Sequence, residues 1–271
     1  MTEDWKFEGL ENGIATYRLT AWAAYYPLIE KTLAVSRASS RDFVWRGQRR
    51  DDWALSPSLD RLIGRLTTTG SSLASNPDEI LRIHLERFKM AVRGRRGQNP
   101  PELPSENDWW ALGQHYGLAT PLLDWTRSPF AAAYFAFEDD NPDTTEYRVV
   151  YGLDRRAVEL RNYDLVTAES VEIGRPPLLE FYDPLSNENP RLVAQGGLFT
   201  RTPLGTPVEQ WITAEFEEAP EPVMYRILIP NRDRAPCLRA LNRMNINHLS
   251  LFPDLNGASR FVNLALEDSN V

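Results

Sequence analysis

Cysteine and histidine are scarce in this sequence. Its 271 residues include one cysteine, Cys237, and three histidines that lie far apart in the chain. A single thiol excludes an intramolecular disulfide and is typical of a reducing compartment. So few Cys and His side chains also argue against a zinc site, and we predict no bound metal.

Long apolar runs are also missing. The longest, such as Phe130–Phe137, are far too short to cross a bilayer. The first residues include Glu3, Asp4 and Lys6 where a signal peptide would have an apolar segment. We therefore expect a cytoplasmic protein that has no membrane partner.

The motifs of several large enzyme classes are absent as well. The chain has no Walker loop, no GxGxxG dinucleotide motif, no HExxH and no GxSxG element. Thirty basic and 38 acidic side chains give a net charge of −8. The molecule as a whole therefore does not attract a phosphate backbone, although a local basic patch can do so.

The apolar content of 42% is enough to bury a sizeable core. Strands are predicted at Asp42–Gln48, Thr120–Trp125, Tyr147–Leu153, Leu192–Arg201 and Met224–Ile229. Helices are predicted at Thr20–Ser36, from Asn76 to about Val92, from Asp108 to Gly117, and at Phe130–Phe137, Arg234–Met244 and Arg260–Leu266. This order lacks a regular βαβ alternation and predicts an α+β fold with helices flanking a mixed or antiparallel sheet. We predict one domain over residues 1–271, with its core at about 40–260.

The first candidate site lies at the end of a predicted strand, in Trp45-Arg46-Gly47-Gln48. Arg46 can offer forked donors to a phosphate or carboxylate, and Gly47 lets a ligand or another backbone approach closely. The alternative is that Arg46 is a buried partner of a core carboxylate such as Asp124.

A second group of polar residues surrounds the next predicted strand. His115 and Tyr116 end one helix, and Asp124, Trp125 and Thr126 lead into the start of another. The N–H groups at a helix start suit an anion, and Trp125 can stack on a base or a nicotinamide ring. Asp124 can orient His115 or Arg46. The alternatives are an ordinary turn, a helix cap and a core tryptophan.

Two further segments carry polar residues. Arg191 and Gln195 precede Gly196-Gly197, and the Gln195 amide can bind a ribose hydroxyl, unless the glycines simply form a β-bulge. The basic helix, residues 77–96, can bind nucleic acid or an acidic protein, unless it is only a solvated face. Its basic residues are Arg82, Arg87, Lys89, Arg93, Arg95 and Arg96.

As a set, these blocks resemble the FRG domain family over about residues 40–260. The motifs that carry the resemblance are Trp45-Arg46-Gly47-Gln48, Trp53-Ala54-Leu55-Ser56-Pro57-Ser58, Gln114-His115-Tyr116-Gly117, Leu122-Leu123-Asp124-Trp125-Thr126, Ala133-Tyr134-Phe135-Ala136, Arg191 with Gln195, Gly197 and Phe199, and Leu251-Phe252-Pro253-Asp254-Leu255. The order of elements is similar to that of ADP-ribosyltransferases.

The resemblance implies a site for NAD as substrate. Arg46 takes the place of an arginine that contacts the phosphates and ribose, and Thr126 that of a Ser/Thr strand residue. Gln195 stands where those enzymes have a catalytic glutamate, and it lacks the charge that stabilises an oxocarbenium ion. The implied catalytic residues are Arg46, His115, Asp124 and Gln195. The implied nucleotide-binding residues are Arg46, Gly47, Gln48, Tyr116, Trp125, Thr126 and Arg191.

The expected activity is that of an ADP-ribosyltransferase or NAD glycohydrolase, of the kind used by bacterial toxins and phage-defence effectors. The alternative is a non-catalytic module that senses a nucleotide or nucleic acid through the same pocket and the basic helix.

Overall fold

A computed structural model gives the architecture of the protein. It describes residues 4–39, 41–68, 76–141, 143, 145–168, 177–184 and 190–267. None of the described helices is long and apolar enough to cross a bilayer.

Within those ranges, eight strands form one sheet. They are β1 (Trp5–Glu11), β2 (Ile14–Leu19), β3 (Phe43–Gln48), β4 (Leu123–Thr126), β5 (Tyr147–Asp154), β6 (Glu180–Tyr182), β7 (Gly197–Arg201) and β8 (Met224–Pro230). The order across the sheet is β1-β2-β8-β5-β3-β4-β7-β6. Strands β2 and β8 run parallel, and all the other neighbours run antiparallel. The sheet is therefore mixed, as predicted.

Helices flank this sheet, which confirms the α+β class. They are α1 (Tyr25–Ser39), α2 (Ser58–Thr68), α3 (Pro77–Ala91), α4 (Glu106–His115), α5 (Pro129–Phe137), α6 (Arg155–Thr167), α7 (Pro190–Ala194), α8 (Val208–Glu215), α9 (Arg234–Arg243), α10 (His248–Leu251) and α11 (Leu255–Glu267). The helix starts at Asn76-Pro77 and Ser128-Pro129 are as predicted: the Asn76 side chain accepts from the N–H groups of Asp78 and Glu79, and that of Ser128 accepts from Ala131.

Strand β3 lies in the middle of the sheet and divides the core in two. Successive side chains of a strand point to opposite faces. Phe43 and Trp45 accordingly enter one apolar cluster with α1, α5 and α9, and Val44 enters the cluster on the other face. A Cβ at Gly47 would lie 1.9 Å from the carbonyl oxygen of Ala132. Helix α5 therefore packs directly on the backbone of β3, and only glycine leaves room for it.

The prediction that Leu192–Arg201 forms a strand with Gln195 in its middle is wrong. The first part of that segment is the short helix α7, and β7 begins only at Gly197. Gln195 lies in the turn between them, where Gly196 has a φ of 56° that favours glycine. A run of apolar residues this short does not distinguish a single helical turn from a strand.

The hairpin of β1 and β2 was not predicted. Asn12 and Gly13 connect the two strands and both have positive φ, at 47° and 77°. This is the conformation of a two-residue type I′ turn, and Asn-Gly is its preferred sequence. The dipeptide was therefore a usable signal for the hairpin. Helices α2, α6, α8 and α10 and strand β6 are also absent from the predicted elements. The other predicted elements differ from the observed ones at their ends.

Candidate functional site

A cleft with two lobes opens where β3, β4 and α5 meet. The first lobe has a volume of about 270 Å³ and the second about 570 Å³. Arg46, Gly47 and Phe135 line both, so we describe them together as the Arg46 cleft. The first lobe is further lined by Trp45, Asp124, Trp125, Thr126, Gln195 and Phe252. The second is further lined by Gln48, Arg49, Trp53, Ala54, Ser56, Arg61, Glu138 and Asp139.

Arg46 is mostly buried and only partly satisfied by the protein. Its Nη1 donates to the backbone carbonyl oxygen of Asp124 at 2.6 Å, whereas the carboxylate of Asp124 is 3.9 Å away. Its Nε is buried and has no hydrogen-bond partner among the described residues. Burial lowers the pKa of Arg46, Asp124 offsets this, and the charge of Arg61 lowers it further. Arg46 thus does contact Asp124, as the alternative expected, but chiefly through the backbone carbonyl and with a carboxylate that is largely exposed.

Gln48 projects from the same face of β3 as Arg46, because the two residues are two apart in a strand. Its exposure is 7%, and its Oε1 has no hydrogen-bond partner among the described residues. The second lobe therefore contains a buried acceptor without a donor, close to a buried donor without an acceptor.

Asp124 is oriented by α4, but not through His115. Its Oδ1 accepts a hydrogen bond of 2.7 Å from Nε2 of Gln114, and the Thr120 hydroxyl donates to the other end of the same amide. The Asp124 side chain is 63% exposed. The carboxylate can thus meet both solvent and a ligand in the first lobe.

His115, Tyr116 and Arg191 lie beside the cleft and do not line either lobe. Arg191 forms an ion pair with Asp254. Burial and the charge of Arg191 lower the pKa of His115, and Asp254 offsets part of this change. The Tyr116 ring is largely exposed and contacts His115 edge-on. The structure therefore brings Arg46, Asp124 and Gln195 together and leaves His115 on an adjoining surface.

Gln195 lines the first lobe, but its amide is engaged. The side-chain Nε2 of Gln195 donates to the carbonyl oxygen of Leu251 at 3.1 Å. The backbone carbonyl oxygen of Gln195 accepts from Thr126 Oγ1 at 2.5 Å. Trp125 is buried, and its indole N–H donates to the Thr200 hydroxyl. Trp125 thus packs in the core, as the alternative for this residue predicted, although part of its side chain lines the first lobe.

The second lobe is rich in guanidinium groups. Arg49 lies over the Trp53 ring, 4.9 Å from its centroid, and forms a 2.6 Å ion pair with Asp139. Arg61 donates to the carbonyl oxygen of Ser56. No ion pair with a carboxylate is seen for Arg61 within the described ranges. Three acidic residues, Asp124, Glu138 and Asp139, line the cleft beside the arginines at positions 46, 49 and 61.

Glu138 also lines the second lobe, and sequence reasoning missed it. Burial is the main cause that raises its pKa to about 7, and Arg260 opposes the change. Its Oε2 lies 3.5 Å from Nδ1 of His248. The available signal was an acidic residue directly after the apolar helix Pro129–Phe137, which packs in the core. Carboxylates with strongly raised pKa values are concentrated at functional sites.

The predicted basic helix of residues 77–96 is too long, because α3 ends at Ala91 and the arginines at 93, 95 and 96 follow it. Arg82 and Arg87 of α3 are exposed, as are Arg93 and Arg95, whereas Arg96 packs on Trp109 with its guanidinium carbon 5.2 Å from the ring centroid. Across the part of the chain that the structure describes, no group of three or more His, Cys, Asp and Glu side chains is arranged to bind a metal ion.

Comparison with known families finds that residues 41–145 match the model of the FRG domain. The match contains β3, β4 and α5, and with them Arg46, Asp124 and Glu138. Comparison with curated proteins and with solved structures gives no match. The FRG resemblance is therefore confirmed over residues 41–145, and the similarity to ADP-ribosyltransferases stays a hypothesis.

Proposed function

We propose that the Arg46 cleft binds a phosphate-bearing nucleotide, with NAD as the candidate, and that the protein acts on it as an ADP-ribosyltransferase or NAD glycohydrolase. The observation that supports this most directly is a pair of buried atoms, Arg46 Nε and Gln48 Oε1, that have no hydrogen-bond partner in the part of the chain that the structure describes. A buried polar group without a partner costs about 1–3 kcal/mol. A ligand that offers both an acceptor and a donor would remove this cost.

The guanidinium groups of Arg46 and Arg61 favour an anion at their end of the cleft. Burial is the main cause that lowers the pKa of Arg46, and the positive charge of Arg61 lowers it further. A phosphate would stabilise both guanidinium groups, because its charge offsets their repulsion and its oxygens accept forked hydrogen bonds. The exposed carboxylate of Asp124 can meet a ribose hydroxyl on the other side.

The size of the cleft agrees with a ligand made of two parts. Small-molecule sites commonly have volumes of about 300–1,000 Å³. The lobes, of about 270 and 570 Å³, meet at Arg46. A dinucleotide placed with its phosphates at Arg46 would extend one end into each lobe.

Replacement of Arg46 by glutamine tests the proposal. The variant should bind NAD about ten- to a hundredfold more weakly in a calorimetric titration, because a charge-assisted hydrogen bond contributes about 1.5–3 kcal/mol. Its free energy of unfolding in urea should fall by only about 1 kcal/mol, since the Asp124 carboxylate stays hydrated. A buried pair would lose about 3–5 kcal/mol. Failure of the parent protein to bind NAD would contradict the proposal.

A non-catalytic sensing module is the second candidate. The exposed basic residues of α3 favour it, because they offer a surface for nucleic acid apart from the cleft. So does the engaged amide of Gln195. In this case the parent would bind the nucleotide but leave it intact after long incubation.

A further inference from the structure

Glu138 lies between the cleft and a buried aromatic cluster. It is the residue at the C-terminal cap of α5. Phe135 of α5, Glu138 at its C-terminal cap and Asp139 just after it line the second lobe. Phe135 also lines the first lobe, so this side chain belongs to the wall that both lobes share.

The other side of Glu138 faces His248 and Tyr134. The Tyr134 hydroxyl lies 3.2 Å from Nδ1 of His248, the same nitrogen that Glu138 approaches. His248 is buried and stacks on Phe252, with 4.1 Å between the ring centroids. Burial is the main cause that lowers the pKa of His248, with Arg260 and Arg191 adding to it. A neutral imidazole gives Glu138 a hydrogen-bonding neighbour but no fixed counter-charge.

The charged groups around Glu138 come from several elements. Arg260 of α11 lowers its pKa and Asp139 raises it. Arg234 of α9 donates to its backbone carbonyl. None of these groups forms an ion pair with the Glu138 carboxylate in the described residues. The carboxylate therefore gains and loses its proton near neutral pH, where proton transfer is most effective.

We propose that Glu138 is the proton-transfer residue of the Arg46 cleft, and that it accepts a proton from the water that hydrolyses the glycosidic bond of bound NAD. This proposal rests on the proposed function. Water oxygen forms a bond to C1 of the ribose while the bond from that carbon to the nicotinamide nitrogen breaks. The electrons of that bond neutralise the pyridinium nitrogen. The proton lost by the water passes to the Glu138 carboxylate and then to solvent, and the products are ADP-ribose and nicotinamide.

The other carboxylates of the cleft are less suited to this role. Asp139 accepts from the backbone of Asn141 and from Arg49, and both interactions lower its pKa. It is therefore a weak base at neutral pH. Asp124 is exposed and its Oδ1 is bonded to Gln114. Glu138 alone among these three combines burial, a place on the wall and freedom from an ion pair.

The test compares the hydrolysis of NAD by the parent, Glu138→Gln and Glu138→Asp, with Glu159→Gln as a matched control. Glu159 is a surface residue on α6 that pairs with Arg155. Glu138→Gln should lower kcat at least a hundredfold, because a general base contributes about 10²- to 10⁴-fold. Its Kd for NAD should stay within threefold of the parent value. Glu138→Asp should retain intermediate activity, and the control should match the parent.

The pH profile provides a readout that a purely structural role would not change. The kcat/KM of the parent should rise with pH through about 7, as Glu138 loses its proton. That limb should be absent from the residual activity of Glu138→Gln. A Gln variant with unchanged turnover would overturn the role of Glu138 alone. Parent protein that binds NAD without hydrolysing it would overturn both this role and the glycohydrolase activity, and would favour the sensing module. Parent protein that does not bind NAD would overturn the proposed function and this role with it.

Discussion

At the scale of single residues, Gly47 and Arg46 have different reasons for their place in one motif. Gly47 is required by packing, since a Cβ there would meet backbone atoms of α5, which cannot move aside as a side chain would. Among the described residues, Arg46 donates to the carbonyl of Asp124, lies 3.9 Å from the Asp124 carboxylate and has a buried Nε without a hydrogen-bond partner. Packing therefore explains Gly47, whereas the unmet hydrogen bonding of Arg46 supports the proposed ligand site.

Replacement of Gly47 by alanine should therefore destabilise the protein strongly. The new methyl group would lie 1.9 Å from the Ala132 oxygen and 2.7 Å from the Ala136 nitrogen, so α5 would have to shift. We expect the free energy of unfolding to fall by at least about 2–3 kcal/mol, as for other overpacked sites. Denaturation in urea would measure the loss.

Gly64 of α2 is the matched control for this experiment. An added Cβ at Gly64 meets nothing within 4 Å. Alanine is favoured over glycine within a helix by about 1 kcal/mol, so Gly64→Ala should leave stability equal or higher. Equal losses at the two glycines would contradict the packing argument for Gly47.

The sequence predicted the site residues whose type is unusual for their local position. Arg46 and Gly47 are unusual at the end of an apolar strand, and Asp124 is unusual within a buried one. The sequence did not predict Glu138, because a glutamate after a helix is common and becomes notable only when α10 and α11 cover it. Gln195 was predicted to share a site with Arg46 and Asp124, and it lines the first lobe with them. It was assigned to the wrong element, since the helical turn before it has no distinctive pattern.

At the scale of elements, the starts of α3 and α5 were predictable from the sequence, and the pairing of strands was not. Asn76-Pro77 and Ser128-Pro129 determine their helices locally, through a side-chain acceptor and a fixed φ. The sheet places β3 between β5 and β4, and this order depends on contacts far apart in sequence. The sequence of a single strand does not determine which strand will be its neighbour in the sheet.

The exposed arginines of α3 and of the turn that follows it lie outside the cleft. Charge reversal of Arg82, Arg87 and Arg93 to glutamate should leave NAD affinity unchanged, because these side chains are exposed and line neither lobe. Binding to a nucleic acid or an acidic partner should be lost, and in the parent it should weaken as salt is raised. Titration of both ligands against the triple variant would measure the two effects.

Arg96→Glu provides the contrast to this triple variant. Arg96 packs on Trp109 and donates to the carbonyl oxygen of Pro101 at 2.6 Å. Its reversal should lower stability, unlike reversal of the exposed arginines. Parallel loss of NAD binding and partner binding in the triple variant would show that the two surfaces are not separate.

At the scale of the whole molecule, the sheet extends well beyond the FRG match. Residues 41–145 contain β3 and β4, which pair with each other only at Trp45 and Thr126. Longer pairings join β3 to β5 and β4 to β7, and both of those partners lie after residue 145. The cleft likewise takes Gln195 and Phe252 from the later part of the chain. The site is thus built by the matched residues and their structural surroundings together.

The raised pKa of Glu138 also links the stability of the whole molecule to pH. A glutamate has an ordinary pKa of 4.5, and in the folded protein burial raises that of Glu138 to about 7. Between these two values the folded state binds more protons than the unfolded state, so the contribution of this residue to stability falls as pH rises. A shift of this size corresponds to about 3 kcal/mol. Below the ordinary pKa both states are protonated, and above the raised pKa both are charged.

Glu138→Gln removes this contribution and leaves the other titrating groups in place. The free energy of unfolding of the variant, minus that of the parent, should therefore become more positive by about 3 kcal/mol from pH 4.5 to pH 8, reduced somewhat because 23% of the side chain is exposed. Urea denaturation of both proteins at the two pH values gives this difference directly. Glu159→Gln should show no comparable change, since Glu159 lies in an exposed ion pair. A difference between Glu138→Gln and the parent that stays constant with pH would show that Glu138 is charged throughout this range, and proton transfer by it at neutral pH would then have no physical basis.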